Sequence, residues 1–278
     1  MGRNTTVSEV YSFLKTVAPL EMAMESDNVG FLVGISEGPV TKILVSLDIT
    51  EKVISEALDV GAELILSHHP LYYSLERVTD EDITGKRILH MLSGGLSAIC
   101  MHTNLDATQG GVGDALAATA GISSHDSGRF EPLSDAKRLP SGEIVSLGRV
   151  GTLDKPCKME DYLLRLAEKL DTDGIKYYDA GRDVYKVAVV GGSGGGEWDN
   201  VVKSGSDTFV TGEVKYNHYL LAQEHGINLI EGGHFCTENL IIPVLAQKLR
   251  DNFSDIETLV SKSHTQTTKF FISPQPLR

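Results

Sequence analysis

Apolar and polar positions recur along this chain with two periods. In TVSEVYSFLKTVAP, Val7, Val10, Leu14 and Val17 fall on one helical face, Thr6 and Glu9 have capping-box spacing, and Pro19 closes the segment. KILVSLD (42–48) and ELILS (63–67) are apolar runs of buried-strand length, separated by the helical pattern EKVISEALDVGA. GKRILHMLSGG then reads as a helix, LSAICM as a strand and GVGDALAATAG as a helix. This alternation predicts an α/β fold with a largely parallel sheet.

Between about 125 and 145 the chain turns polar, in SSHDSGRFEPLSDAKRLPSGE, which predicts a domain boundary or long loop. A second alternation follows. EIVSLGRVGTL reads as strands, MEDYLLRLAEKL as a helix, YKVAVVG as a strand, VVKSG as a short helix and DTFVTG as a strand. KYNHYLLAQEHG reads as a helix, NLIEGG as a strand and TENLIIPVLAQKLRDNF as one long helix, with IETLVSKSHTQ as a further edge strand. The shared order suggests two related α/β halves.

Composition narrows the function classes. At 278 residues, 41% apolar and 23% charged, the chain can bury full globular cores. A net charge of −13 argues against nucleic acid or an anionic membrane as partner, because both require a positive surface. No run approaches the length of a membrane span and no signal-peptide pattern precedes the first helix. Cys100, Cys157 and Cys236 are widely spaced with no C-x-x-C pair, which predicts a cytoplasmic protein without disulfides.

The candidate chemistry lies at strand ends. ELILS runs into His68 and His69, LSAICM into His102 and Asp106, and NLIEGG into His234 and Glu238. Sites in parallel α/β sheets form at strand carboxyl ends, so these groups are expected to converge there. His102 and Asp106 are expected in a loop, and Glu238 in the first turn of the long helix. Four imidazoles and two carboxylates are too many for one closed tetrahedral zinc and suit two divalent ions with open positions. Zinc, iron, manganese and cobalt all accept such ligands. The alternative, six structural polar groups, requires each buried imidazole to find its own hydrogen bonds. His90, His125, His225 and His264 read as solvated or core histidines, and Cys236 as a small buried residue rather than a seventh ligand.

Three further features have two readings each. Asp48 and Asn28 are either turn formers or groups that orient ligand imidazoles. Gly191, Gly192, Ser193 and Gly194, in VAVVGGSGGGEWDN, form either a tight turn or a ligand loop with backbone amides able to cradle an anion.

TTVSEVYSFLKTVAP with SDNVGFLVG, SLDIT, SHHPLYYS, TGKRI, HTNLDATQGGVGDALA, VGGSGGG, TGEVKYNH and GGHFCTE together resemble the Nif-three-like dinuclear-metal family. Its members are often labelled GTP cyclohydrolase 1 type 2 homologues. The resemblance spans nearly the whole chain and places the family's ligands on His68, His69, His102, Asp106, His234 and Glu238. It implies two α/β domains, a metal-binding one from 1–126 and 229–278 and a second from 127–228, and a ring-shaped homohexamer. In the TGD/E-x-x-Y stretch the family carries a histidine after the aromatic residue; here Tyr216 is followed by Asn217, with His218 one place later.

Charge counting gives the expected chemistry. Two divalent ions against Asp106 and Glu238 leave positive charge that favours a metal-bound hydroxide as nucleophile, with Asp106 as bridging carboxylate. The expected function is a dinuclear metal-dependent hydrolase whose small-molecule substrate is a nucleotide or another small ring or phosphoester. The family label makes the reaction hydrolytic opening of the imidazole ring of GTP. The alternative is a non-catalytic metal-binding scaffold, metal carrier or regulatory interaction protein.

Overall fold

Two mixed, largely parallel sheets organise the chain, and the computed structural model describes them over residues 5–125, 128–134 and 137–271. The first helix, α1 (Val7–Val17), starts at a complete capping box: Glu9 N donates to the Thr6 hydroxyl and Thr6 N to the Glu9 carboxylate. Its face of Val7, Val10 and Leu14 is buried; each such side chain stabilises the fold by roughly 1.5–3 kcal/mol. There follow β1 (Gly30–Val33), β2 (Lys42–Ser46), α2 (Glu51–Asp59), β3 (Leu64–Ser67), α3 (Ile83–Ser93), β4 (Ser97–Cys100), α4 (Thr103–Ala107) and α5 (Val112–Thr119). Every residue of β3 and β4 is buried, as continuous apolar runs predict for interior parallel strands.

The second half runs β5 (Glu131–Pro132), β6 (Lys137–Arg138), β7 (Ile144–Val145), β8 (Gly148–Cys157), α6 (Met159–Leu170), β9 (Lys176–Tyr178) and β10 (Val184–Val190). It continues through α7 (Trp198–Ser204), β11 (Thr208–Thr211), α8 (Tyr216–His225), β12 (Asn228–Glu231), α9 (His234–Glu238), α10 (Ile241–Asn252) and β13 (Glu257–Val260). The first sheet has the order β1-β4-β3-β2-β13, with β1 antiparallel on one edge and β13 parallel on the other. The second has the order β5-β8-β10-β11-β12-β9; β10, β11 and β12 are its parallel core. Strand β12 thus pairs in the second sheet, across the division expected at residue 229. The return to the first sheet is made by α10 and β13.

The stretch expected as one long helix is two. It breaks at Asn239 and Leu240, between α9 and α10. Helix α10 buries Ile241, Ile242, Leu245, Ala246 and Leu249 in the core shared with α1 and β2. Phe235, on α9, packs against this core and against the core of the second sheet, so α9 sits at the seam between them. No helix is long and apolar enough to cross a membrane among the described residues.

Candidate metal centre

The parallel ladder continues one step past β3. His68 N donates to Ser46 O at 3.3 Å and His69 N to Leu47 O at 2.8 Å, before Pro70 removes the next donor. The Ser67 hydroxyl donates to His69 O at 2.8 Å. Both imidazoles are therefore fixed at the carboxyl edge of the first sheet.

His102 and Asp106 do not lie in a loop as expected. HTNLD folds into a helical turn, with His102 as N-cap of α4 and Asp106 four residues on. The turn forms because the Asp27 carboxylate, distant in sequence, accepts from Thr103 N at 3.0 Å and from the Thr103 hydroxyl. His234 and Glu238 begin and end α9, again at four-residue spacing, with Nε2 and Oε2 3.0 Å apart. Glu238 thus closes a short helix rather than opening the long one. Gly233 starts α9 at φ +93°, a conformation that requires glycine.

All six predicted ligands converge. His68, His69 and His102 bring ligand atoms within 4.8 Å of one another; so do His69, His234 and Glu238, and so do His68, Asp106 and Glu238. Glu238 Oε2 lies 2.8 Å from His69 Nε2, 3.0 Å from His234 Nε2 and 3.8 Å from His68 Nε2. Asp106 Oδ1 lies 3.4 Å from His68 Nε2. His68 Nε2 and Asp106 Oδ1 are buried without a hydrogen-bond partner. Such a buried pair is costly alone and is satisfied by a shared cation, so the residues fit a metal.

The second nitrogen of each imidazole is held from outside. Nδ1 of His68 donates to Met101 O at 2.9 Å, and Nδ1 of His69 to Asp48 at 2.8 Å. Nδ1 of His102 donates to Asp27 at 2.8 Å, and that of His234 lies 3.1 Å from Glu213. With Nδ1 carrying the proton, Nε2 is the nitrogen available to an ion, the arrangement typical of ligating histidines.

The electrostatics follow from this packing. Burial disfavours a charged His69, but its bonds to Asp48 and Glu238 outweigh that and push it up to about 10. Hydrogen bonding to Glu238, against burial, raises His234 to about 9. Burial raises Asp106 to about 6, opposed by the charge on His68. For Glu238 burial is overcome by the bonds from His234, His68 and His69, which hold it well below the usual carboxylate range. Side-chain exposure rises from 0% at His68 to 35% at His234, so the cluster opens on the His234 side.

That opening is a cavity of about 610 Å³, whose lining includes His69, His102, Asp106, His234 and Glu238 together with Tyr73 and Ser193. The glycine turn forms part of its wall. A Cβ at Gly192, where φ is +58°, would lie 2.0 Å from Glu238 Oε1, so only glycine fits. Gly192 N donates to the Thr237 hydroxyl, and Gly194 N to that of Thr211.

Of the two candidate orienting residues, Asp48 accepts from His69, whereas Asn28 donates its side-chain amide to Tyr72 O at 2.7 Å. The residue that orients His102 is its neighbour Asp27. Composition could not separate adjacent Asp and Asn in one turn. Glu213 and His264 were also missed. His264, expected to be a solvated or core histidine, donates Nε2–H to the far oxygen of Asp48 at 2.7 Å, so Asp48 joins two imidazoles. Cys236 is buried and free, with Sγ toward Gln266.

This arrangement can be compared with known proteins. Residues 5–267 match the profile of Duf34/NIF3 (NGG1p interacting factor 3). The chain belongs to the Duf34/NIF3 family. A relative in Clostridium perfringens named "GTP cyclohydrolase 1 type 2 homolog" is 30% identical over 267 residues, covering 95% of this chain and 99% of that protein. One of the same name in Lactococcus lactis is 31% identical over 258 residues, covering 91% and 94%. The solved Bacillus cereus protein related to NIF3 has the same fold, with a TM-score of 0.88 and 21% identity over 97% of this chain and 100% of that one. The Duf34/NIF3 fold therefore brings together the residues that the sequence spaced across more than half the chain.

Proposed function

We propose that His68, His69, His102, Asp106, His234 and Glu238 hold two divalent ions, and that the chain is a metal-dependent hydrolase of a small molecule. One observation carries the reading: four imidazoles have Nδ1 tied outward, and Nε2 of His68, His69 and His234 faces Glu238 or Asp106 beside an open cavity that His102 also lines. Zinc, iron, manganese or cobalt would suit this donor set. When bound, the ions supply Lewis acidity and lower the pKa of water at the site.

The chain's own groups do the rest. Asp27, Asp48, Glu213 and Met101 O fix the imidazole tautomers. Glu238, near three imidazoles, and Asp106, beside His68, would both help to hold the ions and offset their charge. Tyr73, 64% exposed, lies with its ring 6.1 Å from that of His102 and offers an aromatic face beside the centre.

The relatives' names support the finer reading, hydrolytic opening of the imidazole ring of GTP. Incubating metal-supplemented protein with GTP and a panel of nucleotides and phosphoesters, with formate detection, tests it. Turnover that Glu238→Gln abolishes is expected. No metal-dependent turnover of any panel member would sink the hydrolase reading for those substrates and favour a metal-binding scaffold. The ring-shaped homohexamer belongs to the same proposal; exposed Val78, Ile83 and Leu92 supply apolar surface for it. Sedimentation at six times the 30.1 kDa chain mass is the expected result.

A further inference from the structure

The glycine turn has two flanks. Gly191 and Gly192 lie against Glu238 and His234, while Gly195 lies against His218. Between the second flank and the Glu213–His218 stretch is a cavity of about 590 Å³. It shares Ser193 and Gly196 with the cavity over the metal cluster, so the two are neighbouring compartments of one cleft.

Five ionisable side chains line the second compartment: Lys176, Glu213, Lys215, His218 and Glu231. Both carboxylates are engaged. Glu231 accepts from the Tyr219 hydroxyl at 2.9 Å and pairs with Lys176, and Glu213 faces His234 Nδ1. Lys215 makes no salt bridge among the described residues. His218 Nδ1 accepts from Lys215 N at 3.1 Å, so in this tautomer the proton is on Nε2. A Cβ at Gly195 would lie 2.5 Å from His218 Cε1 and 2.8 Å from Nε2, so the ring packs directly on glycine backbone. A Cβ at Gly196 would meet nothing within 4 Å, leaving that backbone open. Thr211 pins the turn, accepting from Gly194 N at 3.0 Å and donating to Gly192 O at 3.2 Å.

We propose that this compartment binds a phosphoryl group of the substrate, with Lys215 Nζ and His218 Nε2–H as donors beside the Ser193–Gly196 turn. In a chain of net charge −13 these are cation and donor groups placed where the turn leaves room for an anion. The metal cluster would then receive the part of the substrate that lies beyond the phosphoryl group. The inference rests on the hydrolase reading for its role in substrate selection; binding itself is measured without turnover.

The test is calorimetric titration of the full chain, at equal metal content, with inorganic pyrophosphate, GTP and guanosine. Lys215→Gln and His218→Gln are each expected to weaken pyrophosphate and GTP binding by about tenfold, the scale of one charge-assisted hydrogen bond, and to leave guanosine unaffected. Gly195→Ala, which displaces the imidazole, is expected to match His218→Gln, with unchanged thermal melting as the fold control. GTP binding tighter than pyrophosphate would identify a nucleotide as the source of the group, and equal binding a smaller phosphoryl compound. Wild-type pyrophosphate affinity in both Gln variants, or no pyrophosphate binding by the unaltered chain, would overturn the site. Pyrophosphate binding that depends on Lys215 and His218, in an unaltered chain that turns over no panel member, would remove the hydrolase reading and leave the site standing.

Discussion

Asp27 accepts the Nδ1 proton of His102 with both carboxylate oxygens, at 2.8 and 2.9 Å, and caps Thr103 N at 3.0 Å. One carboxylate thus orients a candidate ligand and starts the helical turn that carries another, Asp106. Burial opposes its charge, yet the bonds from His102 and Thr103 hold it well below the usual carboxylate range. Asp27→Asn keeps the shape and removes the charge. Metal affinity should fall by about 10–100-fold, the usual cost of losing a group that orients a ligand. Calorimetric titration with zinc measures it, and unchanged affinity would count against Asp27 as the orienting group.

Gly192→Ala places a methyl group 2.0 Å from Glu238 Oε1 at φ +58°. The left-handed conformation alone costs about 1–2 kcal/mol for a residue with a Cβ. The collision moves a candidate ligand as well. Expected are a lower melting temperature and weaker metal binding together. A variant that melts lower but binds metal normally would show that the turn supports the fold alone.

His264 and His69 share Asp48, one on each oxygen, at 2.7 and 2.8 Å. Replacing His264 with Phe leaves one oxygen of Asp48 without this partner. Metal affinity should fall by less than in the Asp27 variant, because His69 keeps its own bond. Comparing the two variants in one titration series checks the ranking, and a larger loss at His264 would reverse it.

Glu56 ties the segment after β13 to α2. Its carboxylate accepts from Ser261, Lys262 N and Ser263, and although burial opposes ionisation these bonds pull it down to about 2. A carboxyl lowered on folding stabilises the fold above its ordinary value of 4.5, and that contribution is lost as pH falls through about 2. At pH 7 Glu56→Gln should be destabilised by about 0.5–1.5 kcal/mol, because solvent screens this partly exposed carboxylate. The difference from the unaltered chain should shrink between about pH 5 and pH 2 in urea titrations. Parallel stability curves over that range would contradict the assignment.

The six candidate ligands were legible because each follows a short apolar run, and strands that end together in space leave that trace in sequence. The helix α1 was legible through Thr6 and Glu9, whose capping is local. What was hidden depended on distant contacts. HTNLD carries no helix signal strong enough by itself, since its cap comes from Asp27. Strand β1 is short and bounded by glycines, and its pairing with β4 is an antiparallel edge that no periodicity announces. His264 and Glu213 look like ordinary surface residues until β13 and the Thr211 turn bring them beside Asp48 and His234.

Elemental analysis of the protein after supplementation with a single divalent metal and removal of excess tests the central claim most directly. About two ions per chain are expected, falling sharply in Glu238→Gln, because Glu238 lies near three of the imidazoles. Well under one ion per chain, or full occupancy in the variant, would contradict a two-ion centre built on these six side chains.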